Sequence, residues 1–175
     1  MHWVDLRTRF SQPIEVGFLD SRYLLDPEQE TIREIEPDPS RALSQAFQIL
    51  LIRYLASPET RVLGTEITEK ELPGGPTFFQ GPHELQLGPL LERFGKDAAG
   101  FTRRGLELGG QQVEHGDAAV KFLPFPEIPV TIILWEADEE FPASASILFD
   151  KSICNRFELD MVFILIQQLI LRIAG

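Results

Sequence analysis

The chain of 175 residues contains a single cysteine, Cys154. One thiol cannot form an internal disulfide, nor can it supply the several thiolates that an iron–sulfur cluster or a cysteine zinc site requires. An iron–sulfur centre within this chain is therefore excluded, and the identity of any cofactor stays unknown. Because a near absence of cysteine is typical of a reducing compartment, we expect a cytoplasmic protein.

Basic residues are also scarce, since 16 Lys and Arg face 27 Asp and Glu and the net charge is -11. Nucleic acids and anionic membrane surfaces are both bound chiefly through Lys and Arg. We therefore expect no nucleic-acid partner and no membrane partner. An unknown small molecule or a protein partner fits this charge better.

Long apolar runs and catalytic motifs are missing as well. The most apolar segment, Met161 to Leu171, is interrupted by Gln167 and Gln168, whereas a membrane span needs about 20 apolar residues. It predicts a helix that is either buried or docked by its outer face on a second copy in a homodimer. No phosphate-binding glycine loop and no GxSxG elbow occurs, so enzymatic activity is left uncertain.

The strongest structural signal is a predicted β-hairpin at about 129–149. Val130 to Trp135 is β-branched, leucine or aromatic throughout, which is typical of a central strand. Residues 143–149 alternate between two faces, and the intervening loop 137–142 carries three consecutive acids. The pattern predicts two antiparallel strands with the acids at the solvated tip.

The rest of the chain predicts a single α+β domain over residues 1–175. An N-terminal β-hairpin region at about 12–36 precedes a helical region at about 40–108, and the core hairpin and C-terminal helix occupy about 118–174. In the helical region, Ser40 caps an amphipathic helix that runs from Leu43 to Tyr54. A helical hairpin follows, with one helix from Gly81-Pro82 to Gly95 and one from Asp97 to Leu108.

The acidic tip is the main candidate site, comprising Trp135, Asp138, Glu139, Glu140 and Phe141. Clustered carboxylates offer ligands for a cation, and the two rings could form the walls of a pocket for a cationic or aromatic ligand. The alternative is that the acids only keep an exposed hairpin tip solvated. On the first of these interpretations, the protein is an accessory protein that binds a small molecule or cofactor, or that interacts with another protein.

Two further hypotheses remain open. His115 and Asp117 form a His-x-Asp on a glycine-flanked turn, which, together with the acidic tip, could hold a metal in a metal-dependent enzyme. Surface turns of this composition are also common without any function. The third hypothesis is a purely structural homodimer subunit, assembled through the C-terminal helix.

Several segments together resemble a family of uncharacterised prokaryotic proteins, found mainly in anaerobes and known as a domain of unknown function. The matching segments are Glu71–Gly75, Gly109-Gly110, Asp117, Pro124–Val130, Trp135, Asp138–Ala143 and Leu148–Asp150. Some members of that family carry a cysteine-rich iron–sulfur segment, which this chain lacks. The resemblance implies membership but supplies no activity.

Overall fold

The computed structural model describes residues 2–36 and 43–175 of the chain, which form an α+β fold with two antiparallel sheets. The helices are α1 (His2–Arg9), α2 (Gln45–Ala56), α3 (Gly75–Phe78), α4 (Gly88–Phe94), α5 (Ala98–Glu107) and α6 (Leu159–Ala174). The strands are β1 (Ile14–Phe18), β2 (Ser21–Asp26), β3 (Thr31–Glu36), β4 (Glu66–Ile67), β5 (Gln111–Val113), β6 (Ala118–Phe125), β7 (Ile128–Trp135) and β8 (Ser144–Asp150). The predicted fold class is confirmed.

The predicted N-terminal β-hairpin region forms the first sheet, the meander β1-β2-β3, in which two hairpins share the middle strand β2. The second sheet has the order β4-β8-β7-β6-β5. Strand β7 lies at its centre, as its apolar sequence indicated, and seven of its eight residues are buried. The two sheets meet where Leu19 donates a backbone hydrogen bond of 3.0 Å to Pro124.

Only one face of the second sheet belongs to the main hydrophobic core. Val120, Ile132 and Ile147 are paired neighbours on that face and are part of the core cluster. Ala119 and Ile133 point to the other face, where they are buried but lie outside this cluster. Side chains that extend from this second face are therefore available for a role other than packing against the helices.

Helices cover the core face of the second sheet. Helix α5 approaches β6 so closely that a Cβ at Gly105 would lie 2.8 Å from both methyl groups of Val120. Helix α6 contacts α2 and α4 and buries Met161, Val162, Leu165, Ile166, Leu169, Ile170 and Ile173. Among the helices of the described ranges, none has the length and apolar character that crossing a bilayer demands.

The helices differ from the prediction at several points. The segment after Gly81-Pro82 is only a 3-10 turn, and the α-helix begins at the next Gly-Pro pair, Gly88-Pro89. The helices α1 and α3 were not predicted from the sequence. Ser40, the predicted cap, lies outside the described residues, and the cap of α2 is Ser44, whose side chain accepts from the Phe47 N–H at 3.2 Å.

Candidate functional site

The candidate site lies at the β7–β8 connection, where the acidic tip is built around Asp138. One carboxylate oxygen of Asp138 accepts the backbone N–H groups of Glu140 and Phe141 at 2.8 and 2.7 Å. These hydrogen bonds, first that from Phe141 and then that from Glu140, lower the pKa of Asp138 below its ordinary value. Asp138 therefore organises the tip as an anion, and its backbone N–H donates to the Phe141 carbonyl at 3.0 Å.

The base of the tip is tied to the helices. The backbone N–H of Ala137 donates to the Gly95 carbonyl, at the end of α4, over 2.9 Å. The carboxylate of Glu136 accepts the N–H of Ala98, the first residue of α5, at 2.7 Å. Since unpaired N–H groups at a helix start favour an acceptor with negative charge, Glu136 stabilises the start of α5 and holds the loop in place.

The turn between β5 and β6 brings Asp117 to the same place. Its backbone N–H donates to the Leu134 carbonyl at 3.0 Å, and its carboxylate accepts the N–H of Glu136 at 2.8 Å. The preceding Gly116 has a φ of 54°, and a Cβ there would lie 2.8 Å from the Leu134 carbonyl oxygen. Only glycine fits both this conformation and this close approach.

An open depression of about 720 Å³ lies between these elements. Its lining consists of Asp117, Trp135, Glu136, Asp138, Phe141, Pro142 and Ser144. Trp135 is 38% exposed and Phe141 is 67% exposed, which is high for rings of their size. We call the surface formed by Asp117, Trp135, Asp138 and Phe141 the acidic–aromatic surface.

The predicted site residues divide into two groups. Trp135, Asp138 and Phe141 line the depression together, as the sequence indicated, while Glu139 and Glu140 are exposed on the tip outside it. Asp117 joins the aromatic residues, whereas its predicted metal-binding companion His115 does not line the depression. Across the described ranges, no three His, Cys, Asp or Glu side chains converge to a point that could hold a metal ion.

The sequence grouped Asp117 with the acidic tip only in the metal-enzyme hypothesis, and it gave no register that sets Asp117 beside Trp135. Strands β6 and β7 pair through a two-residue turn at Pro126-Glu127, and Ala118 lies opposite Leu134. The residue before Ala118 is therefore adjacent to Trp135. If the segment 124–129 is treated as a hairpin turn, the predicted partner of Asp117 differs from Trp135 by one residue. The difference comes from the register shift between Phe122 and Phe125.

Comparison with known proteins gives one finding. A family model described as "Domain of unknown function (DUF3786)" matches residues 5–172. No curated protein and no solved structure matches the chain.

Proposed function

The chain belongs to this DUF3786 family of unknown function, and from that premise we propose that it is a binding protein for a cationic ligand group. The group would be a guanidinium or ammonium, from a small molecule or from a protein partner, seated on the acidic–aromatic surface. The observation that carries the proposal is the arrangement of exposed Trp135 and Phe141 around one depression with Asp117 and Asp138. Its place of action would be the cytoplasm, which the single cysteine favours.

The chemistry of the surface favours a cation for two reasons. Aromatic faces attract guanidinium and ammonium groups, with about 0.5–1 kcal/mol gained at exposed sites and more when the cation is desolvated. In the backbone hydrogen bonds described above, Asp117 accepts through Oδ2 and Asp138 accepts through Oδ1. The second oxygen of each carboxylate can therefore accept from a ligand without dismantling the tip.

Tryptophan fluorescence tests the proposal directly. The chain has two tryptophans, Trp3 and Trp135, so a Trp3→Phe background leaves Trp135 as the only reporter. We expect N-acetylarginine amide to change its emission and the uncharged isostere N-acetylcitrulline amide to have a much weaker effect. In that background Asp138→Asn should weaken binding of the arginine probe by about tenfold, the equivalent of about 1.4 kcal/mol.

Glu139→Gln is the matched control. It removes the same charge from the same tip, but Glu139 lies outside the depression, so its affinity for the arginine probe should remain close to that of the background protein. Equal binding of the arginine and citrulline probes would contradict the proposal. So would an equal loss of affinity in Asp138→Asn and Glu139→Gln, which would indicate only a general effect of charge.

The structure adds no observation that specifically favours the metal-enzyme hypothesis or the homodimer hypothesis. The metal-enzyme hypothesis required His115 to join the acids, and His115 is not among the residues that line the depression. The homodimer through the helix 161–171 stays a prediction, which a native mass of twice 19.8 kDa would support. Helix α6 already buries seven residues within its own chain, and its large exposed hydrophobic residue is Leu171.

A further inference from the structure

A second pocket, with a volume of about 340 Å³, lies at the opposite end of the β6–β7 hairpin from the acidic–aromatic surface. The length of β7, eight residues, separates the two regions by about 26 Å at the usual rise of a strand. Residues from α1, the end of α2, the β6–β7 turn and the segment before α6 surround it. The charged residues in its lining are Arg9, Glu59, Glu127 and Arg156.

Arg156 is the unusual residue of this pocket. Its side chain is only 5% exposed, and its guanidinium carbon lies 4.4 Å from the centre of the Tyr54 ring. The Tyr54 ring in turn stacks on Phe125 at 4.1 Å, with 10° between the ring planes. The guanidinium is thus supported on an aromatic stack rather than free to sample rotamers at the surface.

Two nitrogen atoms of this guanidinium have no hydrogen-bond acceptor in the described part of the chain. Nε and Nη1 of Arg156 are buried and have no hydrogen-bond partner there. The carboxylate of Glu127 is 3.8 Å from Nη1, which is an ion-pair distance but too long for a hydrogen bond. Because a buried charged donor without an acceptor is costly, Arg156 is suited to receive an acceptor from a bound ligand.

The surroundings restrict what that acceptor can be. Arg9 provides a second cation in the lining, while its Nη1 donates to the carbonyls of Leu55, Ala56 and Ser57 at 2.9, 2.8 and 3.3 Å. Glu59 and Glu127 place two negative charges in the same lining. Burial raises the pKa of the Tyr54 hydroxyl, the positive charge of Arg156 lowers it, and the negative charges of Glu127 and Glu59 raise it. All three charges therefore act on this ring.

We propose that this pocket binds a small carboxylate ligand that also carries an ammonium group, as a free amino acid does. The planar guanidinium of Arg156 is the main carboxylate-binding group, since its fork of donors matches a carboxylate. Glu127 or Glu59 accepts from the ammonium. Phe10, Leu55 and Pro126 form the apolar part of the lining, against which the ligand's side chain packs.

Three probes that share the branched side chain of leucine test the assignment. L-leucine carries both charged groups, 4-methylpentanoate lacks the ammonium, and 3-methylbutylamine lacks the carboxylate. We expect the affinity of the probes for this pocket to fall in that order. L-leucine should move the Nε–H signal of Arg156 in the NMR spectrum of the wild-type protein and leave the Trp135 indole signal in place. That separation keeps the outcome independent of the cation-binding proposal, whose reporter is Trp135.

Variants complete the test. Arg156→Gln should lower the affinity for L-leucine at least tenfold, and Arg93→Gln is the matched control because Arg93 also lies over a ring, that of Phe94 at 5.1 Å, but does not line this pocket. The inference is overturned if no carboxylate probe moves the Arg156 signal, if 3-methylbutylamine moves it at as low a concentration as L-leucine does, or if inorganic phosphate moves it while both carboxylates do not. An unfolded Arg156→Gln would still leave the wild-type NMR result to decide.

Discussion

At the scale of single residues, Asp150 does more than the helix-capping role that its sequence position predicts. It caps the 3-10 turn after β8 by accepting the Ser152 N–H at 3.0 Å, as expected. It also accepts the N–H groups of Leu63 and Gly64 at 3.0 and 2.6 Å, from a loop 86 and 87 positions away. A helix cap can be predicted from local sequence, whereas hydrogen-bond partners so distant in the chain cannot.

The environment of Asp150 predicts an acid-sensitive contribution to stability. Burial raises the pKa of this carboxyl, but hydrogen bonds from Ser152, Leu63 and Gly64 outweigh it and the net pKa is lowered. A lowered pKa means that the folded structure stabilises the ionised form of the carboxyl group. The contribution is therefore full above the ordinary Asp pKa of about 3.9 and is lost as the pH falls through the lower, folded value.

We expect Asp150→Asn to lower the free energy of unfolding by about 1.5–3 kcal/mol at pH 7, as for other hydrogen bonds to a charged group. Urea denaturation at pH 7 and near pH 3 checks this, because the difference between wild type and variant should shrink in acid. Asp138→Asn provides the comparison, since Asp138 makes similar backbone hydrogen bonds on an exposed loop. A wild-type minus Asp150→Asn difference that is the same at both pH values would contradict the assignment.

At the scale of elements, periodicity predicted most helices and strands but not their exact starts. Two Gly-Pro pairs, Gly81-Pro82 and Gly88-Pro89, lie before the apolar residues of α4, and both satisfy the rule that proline favours the first helical turn. The structure begins the α-helix at the second pair, Gly88-Pro89. The segment 61–72 carries two local patterns and both are present in the structure, with Ile67 in strand β4 and Thr68-x-x-Glu71 as the capping box of a 3-10 turn.

The contact between α5 and β6 gives a test of packing between elements. Gly105→Ala would place a methyl group 2.8 Å from both methyls of Val120, so α5 must move away from the sheet. We expect a loss of about 1–3 kcal/mol in the free energy of unfolding, as for other overpacked interiors. Thermal or urea denaturation measures it.

Gly88→Ala is the control for that substitution. Gly88 also lies in a helix, α4, but a Cβ there has no atom within 4 Å. The control should be neutral or slightly stabilising, because alanine is favoured over glycine in helices by up to about 1 kcal/mol. Equal losses in the two variants would show that the effect comes from the backbone and not from the α5–β6 contact.

At the scale of the whole molecule, the acidic–aromatic surface was predictable only in part. Trp135, Asp138 and Phe141 come from one hairpin, so their proximity follows from local sequence. Asp117 enters from another turn, and the tie between Glu136 and α5 depends on how helices and sheet are arranged. The Arg156 pocket left no sequence signal, because its lining residues come from four separate stretches of the chain.

The strand order of the second sheet also bears on how the chain acquires its fold. Strands β5 to β8 follow one another along the chain and pair as consecutive antiparallel neighbours, while β4 joins from residues 66–67 by pairing with β8 across more than 80 positions. Closing short hairpin loops costs less entropy than bringing together distant segments, so the four-strand meander should assemble first and β4 should dock last. Native-state hydrogen exchange would then show the slowest exchange in β6 and β7 and early opening of β4 together with the Leu63–Gly64 loop, whereas uniform protection across all five strands would indicate a single cooperative unit.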